Sequence, residues 1–246
     1  AILCQKPLGK NGEDALKIRK WVAEASNRPT FMEAFMYRHH PLTLHAIDLA
    51  KGGSIGDVYH IRGVFTQGRG SLQNWRRRPE LGGGSMQDIG CYALNGAFAV
   101  TDARPVTASA VGWINPESGV EERISGLIEF EDGTSAHLES SFETPRWRQV
   151  LEVVGTTGTV EVVNPWTPDM AGSGIRVFQE QGRQESWLTF GAVNRYSPEI
   201  AHILECAETG AAPRVSLDRT VEAMLTIDAL ITSLKERTTV DIARLP

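Results

Sequence analysis

Eight short strand-like segments between residues 57 and 190 constrain this chain more than any other feature. They are Asp57 to Phe65, Val106 to Trp113, Arg123 to Glu131, Ser135 to Phe142, Gln149 to Val154, Thr159 to Val163, Arg176 to Gln179 and Ser186 to Phe190. Within them apolar residues recur with a period near two, the signature of a half-buried strand, and Asp132-Gly133 is a hairpin turn signal between two of them. Alternation of this kind favours antiparallel pairing, and one large sheet is the natural way to join so many strands. Two helices come after them, Pro198 to Glu208 and Arg219 to Lys235, the second carrying Met224, Ile227, Ile231 and Leu234 on one stripe. Both are expected to cover one face of the sheet.

The front of the chain has a different texture. Ala1-Ile2-Leu3-Cys4 reads as a buried strand already in progress, and Gly12 to Ala25 places Ala15, Ile18, Val22 and Ala25 at helical spacing before the stop signal Ser26-Asn27-Arg28-Pro29. Thr30 to Met36 is a second apolar run, so the opening is a β-α-β unit, whose crossover requires parallel strands. A helix from Leu42 to Lys51 then ends at Gly52-Gly53. The expected fold class is α+β, with a β-α-β remnant of a larger parallel sheet at 1–38 and a large, mostly antiparallel open sheet with helices on one face at 39–246.

Composition removes several function classes. The 246 residues carry 25 Lys and Arg against 30 Asp and Glu, a net charge of −5, and the basic residues are scattered. No sustained cationic face is present to follow nucleic-acid phosphates, and no apolar run approaches the roughly 20 residues that span a bilayer. The three cysteines, Cys4, Cys91 and Cys206, are odd in number and lack CxxC spacing, which argues against a disulfide framework and for a reducing cytoplasm. The basic triplet Arg76-Arg77-Arg78 suits a local anion site or a solvated turn. His39, His40 and His45 invite a metal, but adjacent histidines before a proline do not supply three converging ligands, and no metal is expected.

Chemistry concentrates in two further places. Lys6 in Gln5-Lys6-Pro7 lies just past a strand's carboxyl end, where open α/β sheets place ligands, and a lysine there can bond a hydroxyl or carbonyl oxygen. The bland alternative is a surface lysine before a turn proline. In Leu81 to Tyr92, three glycines precede a helix on which Asp88 and Tyr92, four residues apart, share a face. A carboxylate and a phenol so placed can work as acid and base on one substrate hydroxyl. The same residues also suit a turn with an acid in the first helical turn and a tyrosine packed in the core.

Taken in order, these segments resemble the Gfo/Idh/MocA family (glucose-fructose oxidoreductase, inositol dehydrogenase, rhizopine catabolism), and the resemblance covers nearly the whole chain. Its Glu-Lys-Pro strand end is similar to Cys4-Gln5-Lys6-Pro7, its Tyr-Arg-x-x-Pro to Tyr37 to Pro41, and its Trp-Arg, Gly-Gly-Gly and Asp-Ile-Gly-x-Tyr run to Trp75 through Tyr92. Gly155 to Thr159 and Tyr196 to Ile200 also fit. The resemblance implies an NAD- or NADP-dependent oxidoreductase of sugars, polyols or diols. Lys6, Asp88 and Tyr92 would be its acid/base group, Arg38, Trp75 and Arg76 its substrate-binding residues, and Lys6, Pro7 and Arg76 its contacts to the cofactor. Tyrosine at 92, where many members have histidine, is similar to the branch with glucose-fructose oxidoreductase, xylose dehydrogenases and dimeric dihydrodiol dehydrogenases. Gln5 stands where the family has glutamate, which removes a charge beside Lys6. The likeness also implies a homodimer, or a higher homo-oligomer, through the open sheet.

The departure from the family is at the front. The Gly-x-Gly-x-x-Gly turn that holds the dinucleotide pyrophosphate occurs nowhere in the sequence; Gly172-Ser173-Gly174 leads to Val177 and lies between strands. About 100 residues of a doubly wound cofactor domain are expected to be missing. A strand in progress at residue 1 favours a truncated form, inactive alone and binding no cofactor by itself. The alternative is a non-catalytic sugar-binding or oligomerisation module that has lost the cofactor site.

Overall fold

The computed structural model describes residues 1–68, 74–179, 184–191 and 193–245. Strand β1 (Ile2–Gln5) and strand β2 (Phe31–Ala34) pair in parallel, with Ile2 opposite Phe31 and Gln5 opposite Ala34. Helix α1 (Gly12–Glu24) makes the crossover between them. Asn11 caps it by accepting from the backbone N–H of Asp14 at 2.9 Å, and Glu13 and Asp14 sit where the helix dipole favours acids.

The second apolar run was expected to stay extended to Met36. It ends at Ala34, and Met36–His39 forms one turn of 3₁₀ helix instead. Pro41 sets the geometry beyond that turn. It occupies the first position of α2 (Pro41–Lys51), where its missing N–H costs nothing, and His40 caps that helix by accepting from Leu42 N–H through Nδ1.

The large sheet has nine strands. In chain order they are β3 (Val58–Thr66), β4 (Pro105–Ile114), β5 (Glu121–Phe130), β6 (Ser135–Ser141), β7 (Arg148–Gly155), β8 (Gly158–Val163), β9 (Gly174–Gln179), β10 (Gln184–Leu188) and β11 (Val240–Asp241). Their spatial order is β10-β9-β8-β7-β3-β6-β5-β4-β11, antiparallel throughout except for the parallel pair β3–β6. The eight expected strands are present, and the short β11 joins them at the β4 edge. The sheet, mostly antiparallel and flanked by helices, is the α+β arrangement that the alternation implied.

Three further helices complete the chain: α3 (Cys91–Val100), α4 (Ser197–Thr209) and α5 (Leu217–Glu236). Every residue of α3 is buried, because it lies directly on β3; a Cβ at Gly63 would stand 2.8 Å from that of Ala93, so only glycine permits the approach. Helix α5 lies on β4 and also against α1, tying the opening unit to the sheet. Helix α4 does not cover the large sheet as expected. It packs chiefly on β2 and the Met36–His39 turn, because its buried residues, Glu199, Ile203 and Cys206, form too narrow a stripe to cover a sheet. One continuous hydrophobic core runs from Leu8 to Ile242, through Met32 and Tyr37 in the opening unit and Ile61, Leu138 and Leu151 in the sheet. Among the described residues no helix is long and apolar enough to cross a membrane.

Candidate active site

The parallel pair ends at Gln5 and Ala34, and the segments leaving these two strand ends build the site. After β1 the chain makes a cis Lys6–Pro7 peptide bond and then buries Leu8, whose N–H donates to Glu33 Oε1 at 2.9 Å. Lys6 is thereby fixed close to the strand end, with its side chain largely enclosed.

The facing wall is the glycine-rich segment. Gly84 has φ 126°, a conformation that suits only glycine, and a Cβ there would overlap the carboxylate of Glu121. That carboxylate accepts from Met86 N–H at 2.9 Å and so holds the start of the next turn. The turn, Met86–Gly90, is π-helical and runs straight into α3. The wider turn departs from the regular α-helix on which Asp88 and Tyr92 were expected to share a face.

Asp88 is 4% exposed and each of its carboxylate oxygens meets a cation. Lys6 Nζ approaches Oδ1 at 3.3 Å and also donates to the Asp88 main-chain carbonyl; Arg76 Nε donates to Oδ2 at 2.5 Å. Lys6 Nζ lies 4.8 Å from the centre of the Tyr92 ring. The structure therefore brings Lys6, Asp88, Arg76 and the face of Tyr92 together. Trp75 joins from the rim, 42% exposed, with the Arg76 guanidinium 4.8 Å from its ring centre. The Tyr92 hydroxyl lies 3.8 Å from Met36 Sδ. Its ring belongs to an aromatic layer with Phe35, Phe65, Tyr37 and Trp166, and burial pushes its phenol pKa well above the ordinary value.

A family model for the GFO/IDH/MocA C-terminal domain matches residues 43–161. Over 242 residues the chain is 32% identical to D-xylose 1-dehydrogenase (NADP(+)) 2 of Haloferax volcanii, covering 98% of this chain and 73% of that protein. The chain belongs to the Gfo/Idh/MocA family. It is also 29% identical over 213 residues to trans-1,2-dihydrobenzene-1,2-diol dehydrogenase of Xenopus laevis, covering 85% of this chain and 63% of that one. Among solved structures, aldose-aldose oxidoreductase from Caulobacter crescentus complexed with glycerol superposes with a TM-score of 0.87 at 26% identity, over 97% of this chain and 71% of that chain. The chain thus spans 73% and 63% of the two curated relatives.

In this Gfo/Idh/MocA chain Arg38 is placed apart from the Lys6–Asp88 pair. Its Nη1 donates to the Asn95 side-chain and main-chain oxygens at 3.1 and 3.4 Å, and Tyr37 O–H donates to the same Asn95 Oδ1 at 2.6 Å. The three arginines of the basic triplet take three different partners, and Arg78 is exposed. Arg76 binds Asp88, Arg77 is buried against Glu122 at 3.0 Å, and Arg78 binds Glu80 at 3.3 Å. Among the described residues no group of three or more His, Cys, Asp or Glu is arranged to hold a metal ion.

Two residues that shape the site carry a signal in the sequence that the motifs obscured. Glu33 is an acid inside the apolar run Phe31 to Phe35; it is 3% exposed, accepts from Leu8 N–H and Thr220 O–H, and burial pushes its carboxyl up to about 7. Asn95 is likewise a polar residue inside the apolar helix α3. A polar group at an otherwise apolar position is buried only with partners, which is what marks both.

Proposed function

We propose that this chain supplies the acid/base and substrate-binding residues of an NAD- or NADP-dependent oxidoreductase acting on a hydroxyl-bearing carbon of a sugar, polyol or diol. The single observation that carries the reading is the Lys6–Asp88–Arg76 constellation at the carboxyl end of β1, against the face of Tyr92. The names of the relatives support the substrate class, since xylose, an aldose and a dihydrodiol share adjacent oxygen-bearing carbons.

Oxidation of an alcohol removes a hydride from carbon and a proton from oxygen. The nicotinamide, when bound, accepts the hydride; the proton is the work of this chain. In reduction Lys6 Nζ, anchored by two oxygens of Asp88, would give a proton to the substrate oxygen, and in oxidation its neutral amine would take that proton back. Asp88, saturated by Lys6 and Arg76, orients them and balances their charge. Burial makes the Tyr92 phenol hold its proton more tightly, so its part is that of a hydrogen-bond donor to the substrate oxygen and not of the group that gives up the proton. Trp75 and Arg76 at the rim offer a stacking face and donors for a polyhydroxylated ligand.

The residues fit a nicotinamide in part. Lys6, Pro7 and Arg76 flank the strand end where open α/β sheets take ligands, while the glycine fingerprint for the pyrophosphate is not in the sequence. One other reading is a sugar-binding or oligomerisation module that uses no cofactor. We also propose a homodimer through the open sheet, where Val111 is 72% and Leu127 52% exposed. Incubating the protein with NAD⁺ or NADP⁺ and a panel of aldoses and vicinal diols, and following nicotinamide reduction, tests the reading. Turnover with one cofactor and a subset of the panel is expected; saturable sugar binding with no response to either cofactor favours the module.

A further inference from the structure

A second set of cations gathers away from Lys6 and Asp88, and Arg38 is its centre. Arg38 is 8% exposed, its hydrogen bonds to Asn95 both leave from Nη1, and its buried Nε has no hydrogen-bond partner among the described residues. Burial disfavours its charge most, and two more cations, Arg214 and Arg219, add to that. A buried cation without a carboxylate beside it is strongly disfavoured, so an anion is the missing component.

Arg38 opens on a cavity of about 690 Å³ that Asn95, Lys51, Arg214, Ser216 and Arg219 also line. The acids nearby do not balance it. Lys51 is taken by Asp102 at 2.9 Å, whereas Arg219 gives Nη1 to Glu222 at 2.7 Å and to the Ala103 carbonyl and Nη2 to the Thr101 carbonyl, with no hydrogen bond from Nε among the described residues. Arg214 Nη1 lies 2.7 Å from Nδ1 of His39, an imidazole kept neutral because burial and the adjacent cations push its pKa down to about 3. Arg38 and Arg214 are left with Asp48, an exposed residue on the cavity wall. Ser216 caps the 20-residue helix α5, whose positive end faces the same space.

We propose that this cavity binds a tetrahedral oxyanion of the phosphate class between Arg38, Arg214 and Arg219 at the N-terminus of α5. The three guanidinium groups come from separate segments: the turn after β2, the loop before α5 and the first turn of α5. Donors arriving from different directions suit an anion that presents oxygens on several sides, whereas a planar carboxylate offers two. None of the lining residues belongs to the Lys6–Asp88–Tyr92 group, so a ligand here would be additional to the substrate. Free phosphate and the phosphoryl group of a small metabolite share this chemistry.

Calorimetric titration with inorganic phosphate and, separately, with a hexose phosphate, at ionic strength matched with chloride, tests the site. One saturable event per chain is expected, weakened about tenfold in Arg214→Gln by loss of one charge-assisted bond. Arg214 is exposed, so that change spares the core, and Lys17→Gln on exposed α1 should bind as the parent does. Tighter binding of the hexose phosphate would identify a metabolite's phosphoryl group; equal or weaker binding would identify the free ion; both support the site. Absence of saturable binding by either at millimolar concentration, or equal affinity in the parent and Arg214→Gln, overturns it.

Discussion

Lys6 and Asp88 are separated by 82 positions, yet Lys6 Nζ meets both the main-chain carbonyl of Asp88 and its Oδ1, the latter at 3.3 Å. The contact joins the end of a parallel strand to a π-helical turn, so it exists only when the opening β-α-β unit and the large sheet are both in place. Local unfolding of either part removes the site.

Replacing Tyr92 by phenylalanine keeps the ring in its aromatic layer and removes a hydroxyl whose protein contact is Met36 Sδ at 3.8 Å. Stability should change by less than about 1 kcal/mol, while carbonyl reduction should slow by roughly 10²-fold, as for loss of one hydrogen-bond donor to the developing oxyanion. Thermal unfolding and steady-state rates on the same preparation separate the two effects.

The Arg77–Glu122 pair, with side chains 3% and 0% exposed, is further secured by Asn115 Nδ2–H on Glu122 at 2.8 Å. Arg77→Met leaves that carboxylate buried without its cation and should cost about 3–5 kcal/mol in denaturant unfolding. The exposed neighbour substitution Arg78→Met should cost no more than about 1 kcal/mol.

Gly84→Ala forces a side chain into a φ of 126° and against Glu121. Strain of about 1–3 kcal/mol is expected, with displacement of the turn that Glu121 holds through Met86 N–H. The measurement is paired: a lower unfolding midpoint, and weaker substrate binding because Asp88 moves with the turn.

Glu33 and Glu121 are each pushed by burial from 4.5 up to about 7. The folded state holds these protons more tightly than the unfolded chain, so the stability they contribute is complete below about pH 4.5 and is lost as pH rises through 7. Each group should contribute on the order of 1–3 kcal/mol of this slope, and Glu33→Gln or Glu121→Gln should flatten it in chemical unfolding between those pH values.

Much of this arrangement was legible in the sequence because it rests on local periodicity. Alternation marked β3 to β10, and the spacing of Ala15, Ile18 and Val22 marked α1. The features that were not legible depend on distant partners. The π-helical turn at Met86–Gly90 has no period of its own to read, and it depends on Glu121, 35 residues away, reaching back to Met86 N–H. Nothing within Arg76-Arg77-Arg78 sets Arg77 apart from its neighbours; Glu122, 45 residues away, does. Arg38, expected by resemblance to bind substrate, is turned to Asn95 by a helix that the local sequence around residue 38 does not reveal. The two-residue β11 is too short to carry a pattern, and α4 showed a helical period without showing which surface it would meet.

The most direct test of the account compares nicotinamide-linked turnover, across a pH series, in the protein and in its Lys6→Met variant. Methionine keeps the length and apolar stem of the side chain over the Tyr92 ring while removing the amine. The account predicts that the variant, in which Asp88 keeps Arg76, still folds with a lowered unfolding temperature but loses about 10²–10⁴-fold in kcat at every pH. A variant that turns over at the parental rate with the parental pH profile would contradict the assignment of Lys6 to the proton-transfer group.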